Sequence, residues 1–437
     1  MQYPDYTSKS AALYERARQY LPGGNTRTTI FLKPYQIYAA RGSGCRVWDV
    51  DGNELIDCIN NFTAGIHGYA HPELVRAAKR QLELGSAFGM QTESEIDLAQ
   101  LLSERVSSVD QSRFANSGTE AVMTAIKAAR AFTRRPKIAK CEGAYHGTYD
   151  YAEVSLDSPT REPGQGWPES IPYAVGTPRG VTDDVIILPF NDIDTSVAIL
   201  RAHASEIAAI LIDPMPNRVG LVPADRTYVQ AMRHVASEIE ALLVFDEVIT
   251  FRLGFNGAQK IWGVDADLTT FGKIIGGGFP VGAVGGRREV MAMFDPTSGK
   301  PPVPHGGTFS ANPMTMVAGL TTMQLLDPPT FEKLDRLGSR LRSAFDEAFL
   351  RSRIEGRTTG MGSLLKIHFT TRAIRDYQTA IPDPEAARRM TQLMTALLNE
   401  GVLIAPNGLL ALSTPMSDSD IDEVIRAFER ALSKVDH

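Results

Sequence analysis

The stretch ALLVFDEVITFRLGFNGAQKIWGVDADLTTFGKIIGGGFPVGAVGG (241–286) decides the fold. ALLVFDE (241–247) and DLTTFG (267–272) are short apolar runs without alternation. Asp246 lies at the end of the first, and Lys273 just past the second. A strand that is apolar at every position is covered on both faces, the situation of a parallel or mostly parallel sheet. Runs of the same kind recur upstream as KIAKC (137–141), VIILPF (185–190) and AAILID (208–213), with helical stretches between them. From about residue 70 to 320 the chain therefore reads as a large α/β domain on a mostly parallel sheet.

The flanks have a different texture. Residues 8–20 read as a short amphipathic helix broken by LPGGN (21–25). CRVWDVDGNELIDCI (45–59) reads as a hairpin turning at Asp51-Gly52. After about 320 come a helix around FEKLDRLGSRLRSAFDEAF, a strand near SLLKIHF, a helix near 385–400 and a last helix at 418–433. The expected division is an N-terminal segment (1–69), the large domain (70–320) and a C-terminal part (321–437), the two termini together making a smaller α+β domain.

Composition narrows the function classes. The 437 residues carry a net charge of −6 with scattered basic residues, which offers no electrostatic footprint for nucleic acid or an anionic membrane. The expected partner is a small molecule. Cys45, Cys58 and Cys141 cannot pair off completely and lack metal-ligand spacing, so reduced thiols in the cytoplasm are expected. His67 and His71 are four apart, but Gly68 lies between them and Pro72 follows. With no third ligand nearby in sequence, no metal site is expected. The opening MQYPDYTSKS has neither a basic nor an apolar leader segment, and no stretch approaches membrane-span length.

In an open α/β sheet, ligands bind beyond the carboxyl ends of the strands, so polar residues there are the candidates. ANSGTEAVMTAIKAARAF (115–132) opens a helix on Ser117, Gly118 and Thr119, whose free amides suit a phosphate. Asp246, after five apolar residues, is costly to bury alone and suits a protonated pyridine nitrogen. Lys273 stands in a crevice beside a glycine-rich stretch, placed to attack an aldehyde. Tyr145 and His146 follow the 137–141 run, and a flat aromatic there can stack on a heterocycle. Each feature alone has an ordinary reading: an N-cap, an aspartate paired with arginine, a solvated lysine, a core tyrosine. A magnesium-binding Asp246 fails because no phosphate-loop motif G-x-x-x-x-G-K-[ST] occurs. All four together, in this order with strands between, fit one phosphorylated pyridine aldehyde.

These residues sit in motifs that carry a family resemblance over about residues 14–430: PGGN (22–25), WDVDGNELIDC (48–58), FANSGTEAVMTAIKAAR (114–130), GAYHG (143–147), DEV (246–248), LTTFGKIIGGGFPVGAVGGR (268–287) and HGGTFSANPMTMVAG (305–319). The chain resembles class III aminotransferases of pyridoxal phosphate (PLP) fold type I, in the subgroup of glutamate-1-semialdehyde aminomutase and β-phenylalanine aminotransferases. The resemblance implies that Lys273 carries PLP as a Schiff base and shuttles the proton. Ser117, Gly118 and Thr119 would hold the phosphate, Tyr145 would stack on the ring with His146 beside it, and Val248 would pack on the other face. Asp246 would pair with the ring nitrogen. Thr308 would reach the phosphate of a neighbouring subunit, which implies a homodimer with shared active sites. The family usually reads Glu-Pro-Val where this chain has Asp213-Pro214-Met215-Pro216-Asn217, one residue shorter, and Asn217 is expected to reach the cofactor's phenolic oxygen.

On substrate, the resemblance points to Arg27, at the spacing after Pro-Gly where β-phenylalanine aminotransferases bind the substrate carboxylate; Arg218 and Arg252 are rivals. The aminomutase pattern of a Phe-Glu pair after Pro-Ser is replaced here by Pro406-Asn407-Gly408-Leu409, which argues for intermolecular transfer. A second, acceptor-binding arginine of those enzymes falls at Asn407, and no arginine lies between Arg389 and Arg426. The expected reaction moves an amino group from a β-amino acid, or a similar ω- or aromatic amino acid, to a 2-oxo acid, with pyruvate favoured over 2-oxoglutarate. The alternatives are the aminomutase reaction and a D- or aromatic α-amino acid aminotransferase.

Overall fold

The computed structural model describes residues 1–161 and 166–436. The chain divides into two compact units: Met1–Val75, Pro329–Arg372 and Pro382–His437 form one, Arg76–Pro328 and Ala373–Ile381 the other.

Among the described residues the larger unit holds a seven-stranded sheet. In chain order its strands are β1 (Gln111–Ala115), β2 (Lys137–Cys141), β3 (Val185–Leu188), β4 (Ile207–Ile212), β5 (Leu242–Asp246), β6 (Leu268–Gly272) and β7 (Gly282–Gly286). Across the sheet the order is β1-β7-β6-β5-β4-β2-β3. Strands β6 through β3 pair in parallel, whereas β7 runs antiparallel to both neighbours, β6 and β1. Every residue of β4, β5 and β6 is buried, as expected for strands covered on both faces. One covering element is the helix α1 (Gly118–Thr133), whose small buried residues Ala121, Ala125 and Ala128 let it lie close to the sheet. Val122 and Ile126 complete its core face, each such aliphatic worth about 1.5–3 kcal/mol when fully buried.

Strand β7 shows why glycine accumulates in GAVGG. A Cβ on Gly282 would lie 1.9 Å from the Ser117 carbonyl oxygen, and one on Gly286 2.3 Å from that of Asp267. No side chain fits there.

The smaller unit joins the two ends of the chain in one sheet. Strands Ala39–Ser43, Arg46–Asp49 and Glu54–Asp57 form an antiparallel meander, and Val402–Leu403 adds in parallel beside Glu54–Asp57. A three-stranded antiparallel sheet (Arg357–Thr359, Leu364–His368, Leu409–Ala411) lies in the same unit. Helices Pro328–Ser352 and Asp418–Leu432 pack through Phe345 and Phe428, whose rings stack at 3.7 Å between centroids.

Just after Glu54–Asp57 the backbone turns left-handed over four non-glycine residues: Asn60, Asn61, Phe62 and Thr63 have φ of 50°, 51°, 50° and 75°. Such a conformation costs an L-residue about 1–2 kcal/mol. A buried polar cluster offsets it. Asp57 accepts from the amides of Ile59 (2.6 Å) and Asn60 (3.1 Å) and from the Tyr69 hydroxyl (2.6 Å), while Asn60 Nδ2 donates to the Ala411 carbonyl (2.5 Å).

All three cysteines are buried and free. Among the described residues no helix is long and apolar enough to cross a membrane, and no group of three or more His, Cys, Asp or Glu side chains could hold a metal ion. His67 Nδ1 instead meets Thr414 Oγ1 at 2.9 Å.

Candidate active site

Strand ends of the larger unit bring most of the candidate residues together. Asp246 closes β5, and the parallel register sets Thr270 of β6 directly opposite it. Thr270 Oγ1 and the Val248 amide both donate to Asp246 Oδ1 at 3.0 Å, and His146 Nδ1 donates to Oδ2 at 2.7 Å. Burial by itself would raise the Asp246 carboxyl. The His146 bond, the Val248 amide and the Lys273 charge outweigh burial and hold the group below its ordinary value. Asp213, just past β4, goes the other way, since burial and then repulsion from Asp246 raise it far above a usual carboxyl. Of the two carboxyls, the negative charge is therefore favoured on Asp246 and the proton on Asp213. The arginine pairing that would have made Asp246 an ordinary structural residue is not what holds it.

His146 is lowered by burial against the pull of Asp246, so it is neutral near pH 7 with its proton on Nδ1. Its Nε2 is buried without a hydrogen-bond partner among the described residues. Beside it Tyr145 is 41 % exposed, so its ring is not packed in the core. Burial, then the charges of Glu153 and Asp246, raises its phenol.

Lys273 follows β6 in a left-handed conformation, φ 50°, unusual for a residue with a side chain and often found where function holds the backbone in place. It is half-buried, and its charge acts on both Asp213 and Asp246.

Ser117 is the N-cap of α1, its hydroxyl accepting from the Glu120 amide at 3.2 Å. The ordinary capping reading is thus correct, and it is compatible with anion binding. The amides of Gly118 and Thr119 are in the first turn, where no intrahelical acceptor exists. Thr119 Oγ1 accepts from the Thr148 amide at 3.1 Å, which joins the helix start to the segment carrying Tyr145 and His146. A Cβ on Gly118 would stand 3.0 Å from Val248 Cγ1, and one on Gly272 3.3 Å from the same methyl. Helix start, Val248 and the residue before Lys273 are in mutual contact, and only glycine leaves the backbone open there.

Asn217 begins a turn (Asn217–Val219) in the loop after β4 and is half-buried. The start of this loop is held by Asp213 Oδ1, which accepts from the Met215 amide at 2.9 Å. Thr308 is exposed on the loop before Pro313–Leu325, and its neighbour Gly307 passes Asn116, a Cβ there lying 3.6 Å from Asn116 Nδ2.

The three arginines differ in availability. Arg218 pairs with Asp157 and donates to the Leu156 carbonyl at 3.2 Å. Arg252 is 1 % exposed and lowered by burial to about 9. Arg27, in the smaller unit, is exposed; its Nη1 donates to Asn61 Oδ1 at 2.6 Å. Sequence reading missed Asn61 and Thr270, because a hydrogen bond between distant segments leaves no local pattern.

The arrangement can hold a flat, phosphorylated heteroaromatic aldehyde: amides for the phosphate, a desolvated carboxylate for a protonated ring nitrogen, and a lysine for the aldehyde.

Comparison with known proteins agrees with that chemistry. Residues 32–432 match the family model for class III aminotransferases. The chain is 50 % identical to an ω-transaminase from Sphaerobacter thermophilus, whose crystal structure it matches at a TM-score of 0.97 over 99 % of each chain. It is 36 % identical to a β-phenylalanine aminotransferase from Variovorax paradoxus, with a TM-score of 0.86 over 96 % of this chain and 92 % of that one. A glutamate-1-semialdehyde 2,1-aminomutase from Desulforudis audaxviator is 40 % identical, covering 97 % of each chain.

Proposed function

Since the chain belongs to the class III aminotransferases, which are PLP-dependent, we propose that it passes the amino group of a β-amino acid, or a similarly spaced ω- or aromatic amino acid, to a 2-oxo acid. The observation that carries this reading is Arg27: of the three candidate arginines it is the exposed one, and a neutral amide rather than an acid holds it. A planar two-pronged donor suits a carboxylate set away from the reacting carbon. The likeness to an ω-transaminase and to a β-phenylalanine aminotransferase supports it.

When bound, PLP supplies an aldehyde to take up the amino group and a protonated ring that draws electrons from the substrate carbon. Lys273 would hold the aldehyde and move the proton at that carbon. Asp246, kept ionised by His146, Thr270 and the Val248 amide, preserves the positive charge at the ring nitrogen. Tyr145 and Val248 would confine the ring faces, Asn217 would meet the phenolic oxygen, and Ser117, Gly118 and Thr119 would take the phosphate. Thr308 of a second copy would complete the phosphate site in a homodimer. The larger unit exposes the large apolar side chains Leu84, Met90, Ile96 and Phe309, which a second copy would cover.

The aminomutase reaction is the second reading, favoured by the name of the 40 % identical relative. Against it stands Pro406-Asn407-Gly408-Leu409, a tight turn closed by Asn407 Oδ1 on the Leu409 amide (3.3 Å) where the aminomutase carries a glutamate.

A panel of β-, ω- and aromatic α-amino acids, each tested with pyruvate and 2-oxoglutarate and run beside glutamate 1-semialdehyde, decides between them. Transfer from β-amino acids, faster to pyruvate, is expected. Conversion of glutamate 1-semialdehyde without any transfer to 2-oxo acids would overturn the proposal.

A further inference from the structure

The left-handed turn Asn60–Thr63 buries its first and last residues and presents its middle two outward. Asn61 is exposed and Phe62 half-buried. Both meet one guanidinium. Arg27 Nη1 donates to Asn61 Oδ1 at 2.6 Å, and Arg27 Cζ stands 6.0 Å from the centre of the Phe62 ring. A right-handed turn would aim the Asn61 side chain in another direction, so the strained backbone and the hydrogen bond belong together. Asp57 and Asn60, tied to the Tyr69 hydroxyl and the Ala411 carbonyl, hold the turn in that form.

The chemistry of the contact is selective. An exposed arginine has many rotamers, and fixing it beforehand lowers the entropy lost when a ligand binds. An amide oxygen orients the guanidinium without cancelling its charge, as an aspartate would. With one N–H on Nη1 engaged, the guanidinium retains donors for a bidentate carboxylate.

We infer that Asn61, presented by the left-handed turn, is a positioning residue that preorients Arg27 and so sets the enzyme's preference for donors carrying a carboxylate. This rests on the reading of Arg27 as the carboxylate anchor.

The test uses the holoenzyme and two donors, 3-amino-3-phenylpropanoate and 1-phenylethylamine. The readout is the ratio of their KM values. Asn61→Gly accepts the left-handed backbone without strain and removes the acceptor, so its melting temperature should not fall. The KM ratio should rise by about tenfold, which corresponds to 1.4 kcal/mol, with kcat for the carboxylate donor changed far less. Arg27→Ala should raise the ratio further, and adding Asn61→Gly to Arg27→Ala should then change nothing, because Asn61 acts through Arg27. A ratio within about twofold of wild type in Asn61→Gly, about 0.4 kcal/mol, overturns the inference if Arg27→Ala alone shifts it. If Arg27→Ala itself affects both donors alike, the anchor reading falls and this inference falls with it.

Discussion

His146 Nδ1 and Asp246 Oδ2 meet at 2.7 Å, both side chains almost entirely shut off from solvent, a hundred residues apart in sequence. This bond keeps a buried carboxylate ionised where burial favours the neutral acid. Removing the charge while keeping the shape isolates its effect. Asp246→Asn should fold and bind PLP yet lose on the order of 10²–10³ in kcat, as when a preorganised electrostatic contact is removed. Single-turnover rates within about threefold of wild type, roughly 0.7 kcal/mol, would refute the role of Asp246.

Lys273 is positioned by a strained backbone at the end of β6. Lys273→Ala should retain PLP only noncovalently and lose at least about 10³-fold in turnover, the scale of a lost acid–base group. Borohydride treatment followed by peptide mass spectrometry checks this: wild type should carry the cofactor on the Lys273 peptide and the variant on none. Appreciable turnover with another lysine labelled contradicts the assignment.

Glu247, beside Asp246, is raised by burial to about 7, although it accepts from the Ala258 amide (2.6 Å) and from Gln259. A carboxyl raised on folding binds its proton more tightly in the native state. Its contribution is complete below the unfolded value near 4.5 and is lost as pH rises to about 7. Glu247→Gln removes this titration. Relative to wild type the variant should gain on the order of 1–3 kcal/mol between those pH values and then level off. Denaturant unfolding at pH 5, 6, 7 and 8 measures it; a difference independent of pH sinks the claim.

Thr308 is exposed on a loop of the larger unit, and the proposed function puts it on the phosphate of a second copy. Thr308→Ala should weaken cofactor retention by about 1 kcal/mol, roughly fivefold, and specific activity should fall on dilution in step with dissociation seen by sedimentation. A fully active monomer is the contrary result.

The strands read from sequence are those with the strongest physical signature. Strands β3, β4 and β5 are apolar runs, all of whose residues are buried, and Asp246 and Lys273 could be named because one ends β5 and the other follows β6. Two other strands of the seven-stranded sheet escaped notice. Gln111–Ala115 opens with polar residues at the sheet edge, and Gly282–Gly286 is built of residues that disfavour strands. Its strand character comes from neighbours too close to admit a Cβ, a tertiary condition with no local trace. The same limit hid the His146–Asp246 bond and the Arg27–Asn61 contact. For the left-handed turn the pair Asn60-Asn61 was a weak hint, since asparagine tolerates that conformation better than most residues, but Phe62 and Thr63 point the other way.

Gly282 pairs with Ala115 on one side and Gly272 on the other, so a single rung of backbone runs from the residue before Asn116-Ser117 to the residue before Lys273. Two inter-strand steps span about 9.5 Å. The separation between the Ala115 and Gly272 backbones, which lead into the proposed phosphate seat and into Lys273, is thus a ruler made of main chain, which no exchange of side chains can lengthen. Substitutions in the loops that choose the substrate leave this ruler untouched, so new donor preferences can evolve while the chemical step keeps its geometry.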